Sequence, residues 1–383
     1  MKILINALAA RRGGGLTYIV NLLKFAPVAP ELHYVLLCGR YNEDLFRTAA
    51  AGRTDIEFLV PNFTVTASPL RRFFWEIFQL PHLIRKNKID VYYAPSGIML
   101  TLLGKNVRTA TALRNMLPWD EQERTRFPVV SVLRWKLLLL RTLYLISYRL
   151  ADRVVFISKY SHECVQKCYP GVTRKSCIIY HGLHELFWEP PKRNTAIEEK
   201  GLKAGEYYLY ISILDYYKAQ KQVIKEWEIL CEQGFQYPLV LAGPCINAYG
   251  KDVVQLINNS LYRERIRYIG EINYAELPIF YQNARALVFA SSCECCPNIL
   301  LEKMSAGKPL FASSVQPMPE FAGDDAWLFD PYQEGDLAKV VQDAEKRPDA
   351  MVERGFKVRE RAALLFDWKR TAEKTIEFIT HMP

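Results

Sequence analysis

No Gly-x-Gly-x-x-Gly, no Gly-Lys-Ser/Thr and no Asp-x-Asp occurs in this chain. Without them the residues of a dinucleotide fingerprint, a P-loop and a carboxylate-held metal are missing. There is also no dense Lys/Arg stripe interleaved with aromatics, so the formal net charge of +9 points to a phosphate-bearing small ligand or an anionic membrane surface, and not to nucleic acid. No apolar run reaches the ~20 residues that a bilayer crossing needs. The most hydrophobic stretch, Val129 to Leu150, is interrupted by Arg134, Lys136, Arg141 and Arg149. The nine cysteines lack regular spacing, and their one cluster, Cys293, Cys295 and Cys296, has no second ligand pair at zinc spacing. The opening MKILINALAA runs directly into Arg11 and Arg12, the reverse of a signal-peptide order. These features predict a reduced, cytoplasmic protein, peripheral at the inner face of the membrane if its basic, aromatic patches touch lipid.

At 383 residues the chain exceeds what a single core usually holds, which predicts two domains. Short apolar runs alternate with helical patterns along both halves. In the first half the expected strands are Lys2–Leu8, His33–Cys38, Asp55–Pro61, Ile89–Ala94, Val107–Leu113, Arg153–Ile157 and Cys177–Tyr180. In the second half they are Tyr207–Ile213, Pro238–Ala242, Ile266–Gly270, Ala286–Ala290, Pro309–Ala312 and Ala326–Phe329. Nearly continuous apolar strands separated by helix-length segments predict parallel sheets covered on both faces. The polar stretch Glu189–Glu206, with Pro190-Pro191, reads as the boundary. The expected domains are 1–188, joined by a C-terminal helix 364–383, and 206–363, with ligands at the C-terminal strand ends. In the last helix Trp368, Ala372, Thr375 and Ile379 form one stripe.

Two patches read either as core helices with snorkelling arginines or as an interface with anionic lipid. They are Val129–Leu150, where Arg134, Arg141 and Arg149 share a face, and Arg71-Arg72-Phe73-Phe74-Trp75. Two further segments have the makings of a ligand site. Gly13-Gly14-Gly15 follows the first strand and precedes a helical run, a turn that brings backbone N–H groups near an anion or is simply tight. The segment from Ala290 to Gly307 (ASSCECCPNILLEKMSAG) follows a strand. A helix starting near Asn298 would direct free N–H groups of Asn298, Ile299 and Leu300 towards a diphosphate. Glu294 and Glu302 would then touch different parts of one ligand, or merely cap and face the helix.

The spacing Glu294-x7-Glu302, followed by MSAGKPLFAS and PMPEFAGDDAWLFDP, resembles the retaining glycosyltransferase family 4. So do the glycine loop, ADRVVFISKYSHECV, IIYHGLHELF, YISILDYYKAQKQVI and YPLVLAGP with RIRYIGEINYAELPIFYQNA. Together these segments cover nearly the whole chain. The resemblance implies the GT-B fold, two Rossmann-like doubly wound domains facing across a cleft. It also implies a nucleotide-sugar donor, GDP- or UDP-linked, and a glycan or lipid-linked glycan acceptor, with no metal required.

By the same resemblance Glu302 binds the donor ribose, Glu294 sits by the transferred sugar, and the N–H groups of Asn298, Ile299 and Leu300 hold sugar hydroxyls and phosphate. Lys218 neutralises the diphosphate, and Gly14 and Gly15 approach it from the first domain. Two departures stand out. The position five residues before Lys218, often Arg in the family, is Ile213, with Lys221 or Arg114 as candidate substitutes. The family's His-Asp position reads Arg114-Asn115. Arg114 stays protonated and cannot be a base, but it can hold a phosphate or an acceptor hydroxyl. His181 and His184 are the nearby histidines. The expected activity is retaining hexosyl transfer in surface polysaccharide or lipopolysaccharide assembly. The rival readings are an NAD-type oxidoreductase, which lacks its glycine fingerprint, and a non-catalytic nucleotide-sugar or glycan-binding protein of the same fold.

Overall fold

The computed structural model describes residues 1–11, 13–62, 68–104, 106–189 and 195–381. Contacts divide the chain into two units, Met1–Gly182 with Asp367–Pro383, and Leu183–Phe366. The first unit holds a sheet of β1 (Lys2–Asn6), β2 (His33–Leu37), β3 (Ile56–Leu59), β4 (Val91–Ala94), β5 (Arg108–Leu113), β6 (Arg153–Phe156) and β7 (Ser176–Ile178) in the order β3-β2-β1-β4-β5-β6-β7. The second holds β8 (Tyr208–Ile211), β9 (Leu239–Ala242), β10 (Ile266–Tyr268), β11 (Ala286–Phe289), β12 (Leu310–Ser313) and β13 (Trp327–Phe329) in the order β10-β9-β8-β11-β12-β13. Every neighbouring pair is parallel. All thirteen expected strands are present; the apolar runs of the inner strands are buried, while the edge strands β3 and β7 are only partly covered.

The strands are shorter than their apolar runs for local reasons. β1 stops at Asn6 because that side chain accepts the Leu8 N–H at 3.1 Å and turns the backbone out of the ladder. β8 stops at Ile211 because the Gln220 amide takes the Ser212 hydroxyl at 2.9 Å and the Ile213 carbonyl at 2.8 Å.

The division falls earlier than the expected boundary Glu189–Glu206, which lies within the second unit: a helix spans Thr195–Glu199, and Ile197 and Leu202 are buried. Leu183 and Phe187, expected in the first domain, also belong to the second unit and are buried. Their apolar side chains make those residues core despite the polar company. Pro190 and Pro191 lie outside the described residues, as does Arg12.

The final helix, Trp368–Thr380, packs in the first unit with Trp368, Ala372, Thr375 and Ile379 buried. Its Asp367 cap accepts the Arg370 N–H at 2.6 Å. Position 182 has to be glycine, since a Cβ there would stand 2.1 Å from the Trp368 nitrogen.

The apolar stretch near residue 140 becomes the helix Val132–Leu150, whose Leu137, Tyr144, Ser147 and Tyr148 are buried. Two of its arginines, Arg134 and Arg141, turn back onto the protein, while Arg149 is exposed. Arg134 donates to the Phe127 carbonyl at 3.2 Å, and Arg141 donates to the Cys168 sulfur at 2.9 Å and covers Trp119. Among the described residues no helix is long and apolar enough to cross a membrane.

Candidate functional site

In the second unit the strand order reverses direction between β8 and β11. Chains leaving the C-terminal ends of those two strands diverge and leave a crevice, the usual ligand position in such sheets. After β8 the Asp215 carboxylate accepts the Tyr216 N–H at 2.8 Å and sets a tight turn, Tyr216–Lys218, which Ala219 leaves with a left-handed φ of 53°. After β11 the chain runs to Glu294, and the Ser292 N–H donates to the Tyr217 carbonyl at 2.7 Å, tying the two loops together.

Lys218 and Glu294 meet here. The Lys218 ammonium donates to Glu294 Oε1, which also accepts the Ser291 hydroxyl at 2.8 Å. The rings of Tyr217 and Phe289 lie 4.9 and 5.3 Å from the ammonium. Lys218 is only 4% exposed, so removing either partner would leave a poorly solvated charge, a cost of about 3 kcal/mol or more.

Glu302 lies on the helix Asn298–Ser305 that follows. Its carboxylate is buried, accepts the Tyr274 hydroxyl at 3.3 Å, and is pushed up to about 8 by burial, against the pull of that hydrogen bond and of the Lys303 charge. A ligand offering hydroxyls would supply the partners that an ionised carboxylate lacks.

The backbone donors differ from expectation. The Asn298 N–H donates to the Cys296 carbonyl at 3.0 Å and the Leu300 N–H to the Pro297 carbonyl at 2.8 Å, so these two are taken up in a tight first turn. Ile299 alone of the three donates to nothing among the described residues. Ile213 is where the expected arginine is missing, and Lys221 does not replace it. That ammonium pairs with Asp252 at 3.0 Å and lies 5.1 Å from the Tyr249 ring. Cys293 and Cys295 are buried, and among the described residues no group of three or more His, Cys, Asp or Glu is placed to hold a metal ion.

Sequence reasoning missed two residues here. Tyr274 brings a half-exposed ring and its hydroxyl to Glu302. Lys303 is fully buried, and its ammonium donates to the carbonyls of Ile211 at 3.2 Å and Val288 at 2.6 Å. The signal for Lys303 was available, since three residues after Leu300 and one before Met304 it falls on the apolar stripe of the helix.

The first unit reverses between β1 and β4. Gly14 and Gly15 lie in the first turn of the helix Gly13–Phe25, Gly13 holds a φ of +61°, and a Cβ on Gly15 would meet nothing within 4 Å. Arg114 follows β5 and is well engaged. It donates to the Pro95 carbonyl at 3.0 Å and the Tyr93 hydroxyl at 3.4 Å, meets His181 Nε2 at 2.5 Å, and lies 3.2 Å over the Tyr18 ring. A guanidinium only donates, so His181 accepts through Nε2 and carries its proton on Nδ1. His184 belongs to the second unit, where its Nδ1 accepts the Leu186 N–H at 3.1 Å.

Residues 12–185 match the model of Glycosyltransferase Family 4, and residues 192–361 match that of Glycosyl transferases group 1. The chain is 33% identical over 127 residues to O-antigen chain mannosyltransferase B of Escherichia coli, a match covering 33% of each chain. It therefore spans about a third of that relative's length. It is 20% identical over 331 residues to O-antigen chain mannosyltransferase RfbU of Salmonella typhimurium, covering 86% of this chain and 87% of the relative. The crystal structure of Anabaena Alr3699/HepE in complex with UDP-glucose superposes with a TM-score of 0.73 over the whole of both chains at 15% identity, which speaks to the fold. The two family models between them leave few residues unmatched, and the chain belongs to the GT-B-fold, nucleotide-sugar-dependent glycosyltransferases, with a family 4 first half and a group 1 second half.

Proposed function

We propose that this enzyme moves a hexosyl unit, with retention of configuration, from a GDP- or UDP-linked sugar to a glycan or lipid-linked glycan acceptor in surface polysaccharide or lipopolysaccharide assembly. The observation that carries the donor side is the pairing of Lys218 with Glu294 at the β8/β11 crevice, beside the helix that bears Glu302. The names of the curated relatives, all mannosyltransferases, support mannose as the first sugar to assay.

In this reading Glu302 accepts ribose hydroxyls, while Lys218 and, of the Asn298–Leu300 turn, the Ile299 N–H face the diphosphate. Glu294 faces the sugar, and Gly14 and Gly15 leave room for phosphate on the first unit. The C1–O bond to the diphosphate breaks as the acceptor oxygen bonds to C1 on the same face, and the acceptor proton passes to the leaving diphosphate oxygen. Negative charge grows on that phosphate, so fixed cations aimed at it lower the barrier more than they tighten donor binding. Among the described residues Arg114 spends three N–H groups within the protein, and the two others suit an acceptor hydroxyl or phosphate. A panel of GDP- and UDP-sugars, screened by thermal shift and followed by turnover with NMR of the product anomer, tests the proposal. Turnover of none of them, or an inverted anomer, overturns it.

The membrane side of the reading rests on the outward face of the first unit. The helix Val132–Leu150 contains no acid, and its exposed row is Val132, Trp135, Leu139, Ile146 and Leu150. The helix Pro69–Phe78 exposes Leu70, Phe74 and Phe78. One loop joins the two helices: the Ser147 hydroxyl accepts the Met99 N–H at 2.9 Å, and the Thr101 hydroxyl donates to the Glu76 carbonyl at 3.0 Å. Exposed apolar rows with Arg71, Lys136 and Arg149 nearby match the chemistry of an anionic bilayer surface. Flotation with phosphatidylglycerol-containing vesicles at low salt should carry the protein, and Trp135→Glu with Leu139→Glu should leave it behind. Failure of the unaltered protein to float removes this part.

A further inference from the structure

The role given to Lys218 and Glu294 leaves unused the most deeply buried cation beside them. Lys303 is fully buried, on the helix whose start faces the β8/β11 crevice. Its ammonium donates to the carbonyl of Ile211, the last residue of β8, and to that of Val288 in β11. The rings of Tyr210 and Phe289 lie 4.8 and 5.2 Å from it, and Phe289 is also the ring beside Lys218. One ammonium therefore joins three segments. These are the strand that leads to Lys218, the strand that leads to Glu294, and the helix that carries Glu302.

Burying an ammonium is expensive, and two carbonyls with two aromatic faces offset only part of that cost. A core position asking only for volume would be filled more cheaply by Met or Leu. The ladder between β8 and β11 stops at Leu209↔Leu287, so Ile211 and Val288 lie where these two strands part and are not paired with each other's strand. A cation at that fork takes the place of the missing ladder. Burial and the nearby Lys218 charge pull the Lys303 pKa well below the ordinary lysine value, with Glu302 opposing them. In its protonated form the group adds positive potential, little screened by solvent, behind the crevice in which the expected arginine is replaced by Ile213.

We propose that Lys303 is a positioning residue of the donor site, a buried clamp that fixes the Lys218 turn, the Glu294 loop and the Asn298–Ser305 helix in one arrangement so that all three act on a single nucleotide diphosphate. The inference rests on the donor reading given above. It predicts that Lys303 matters for the diphosphate and much less for the nucleoside, since Glu302 and Tyr274 keep their own contact.

The test compares the unaltered protein with Lys303→Met, which keeps the volume without the charge, and Lys303→Arg, which keeps the charge. UDP, GDP, uridine and guanosine are titrated by calorimetry, with a melting curve for each protein. The expected result is a loss of about tenfold or more in affinity for whichever diphosphate binds, with the matching nucleoside within about threefold and partial recovery in Lys303→Arg. A purely structural lysine would lower the melting temperature and weaken both ligands alike, or neither, and either result overturns the clamp. If Lys303→Met does not fold, Lys303→Gln, with one amide donor and no charge, is judged by the same ratio. If the unaltered protein binds neither UDP nor GDP, the donor reading fails first, which is a different outcome from a diphosphate that binds equally well to all variants.

Discussion

The two units share one strand order around the point where the sheet reverses, yet they spend that point differently. In the second unit the fork between β8 and β11 is charged. It has a buried lysine across the strand ends, an ion pair in the loops and a buried carboxylate with one tyrosine partner. The first unit places a guanidinium against Tyr18, Tyr93 and His181, most of its donors used internally. Its outward surface, unlike that of the fork, is apolar and free of acids along the helix Val132–Leu150. The contrast teaches that identical topology fixes where a ligand meets each sheet, while side-chain partners decide its chemistry. Cations held by carboxylate and carbonyl suit a polyanion, and aromatic packing suits sugar or lipid.

That contrast is broken most severely at Lys218. Lys218→Met should slow turnover of the donor by roughly 10²–10³-fold, as loss of a donor aimed at developing charge does. Steady-state kinetics on the folded variant checks it, and unchanged turnover would move the chemistry away from the β8/β11 fork.

A middle-sized effect concerns Glu302 and pH. Burial holds its carboxyl at about 8, above the ordinary value, so the folded state keeps the proton. Its contribution to stability is therefore present at low pH and declines as pH rises from the ordinary carboxylate range to about 8. Ribose hydroxyls that pair with the carboxylate offset this decline. Nucleotide affinity should thus rise by about tenfold between pH 6 and pH 9, and Glu302→Gln, which cannot ionise, should lose that rise. Calorimetry at both pH values with the variant as control decides it.

The smallest effect falls on the first unit. Arg114→Met should reduce transfer by roughly fivefold, about 1 kcal/mol, while leaving nucleotide affinity within about twofold. A large loss of nucleotide binding would place Arg114 on the donor and erase the division of labour between the units.

Much of this molecule was legible before any coordinates. The apolar runs marked where the strands lie, because a strand covered on both faces is mostly hydrophobic. The stripe of Trp368, Ala372, Thr375 and Ile379 marked a buried helix face by the same logic. Motif resemblance assigned residues 218 and 294, far apart along the chain, to one donor site; that their side chains pair with each other came from the structure alone.

What the linear order determined was the set of elements and which of their faces avoid water, since period and apolarity are local properties. Only the tertiary structure decided the partners. It folded Arg134 and Arg141 inward and left Trp135 and Leu139 outward, took up the Asn298 and Leu300 N–H groups within the turn, and carried the Lys303 ammonium to two strand ends. A side chain's electrostatic role depends on which atoms from distant segments lie within a few ångströms of it, and that distance is set when the sheets assemble.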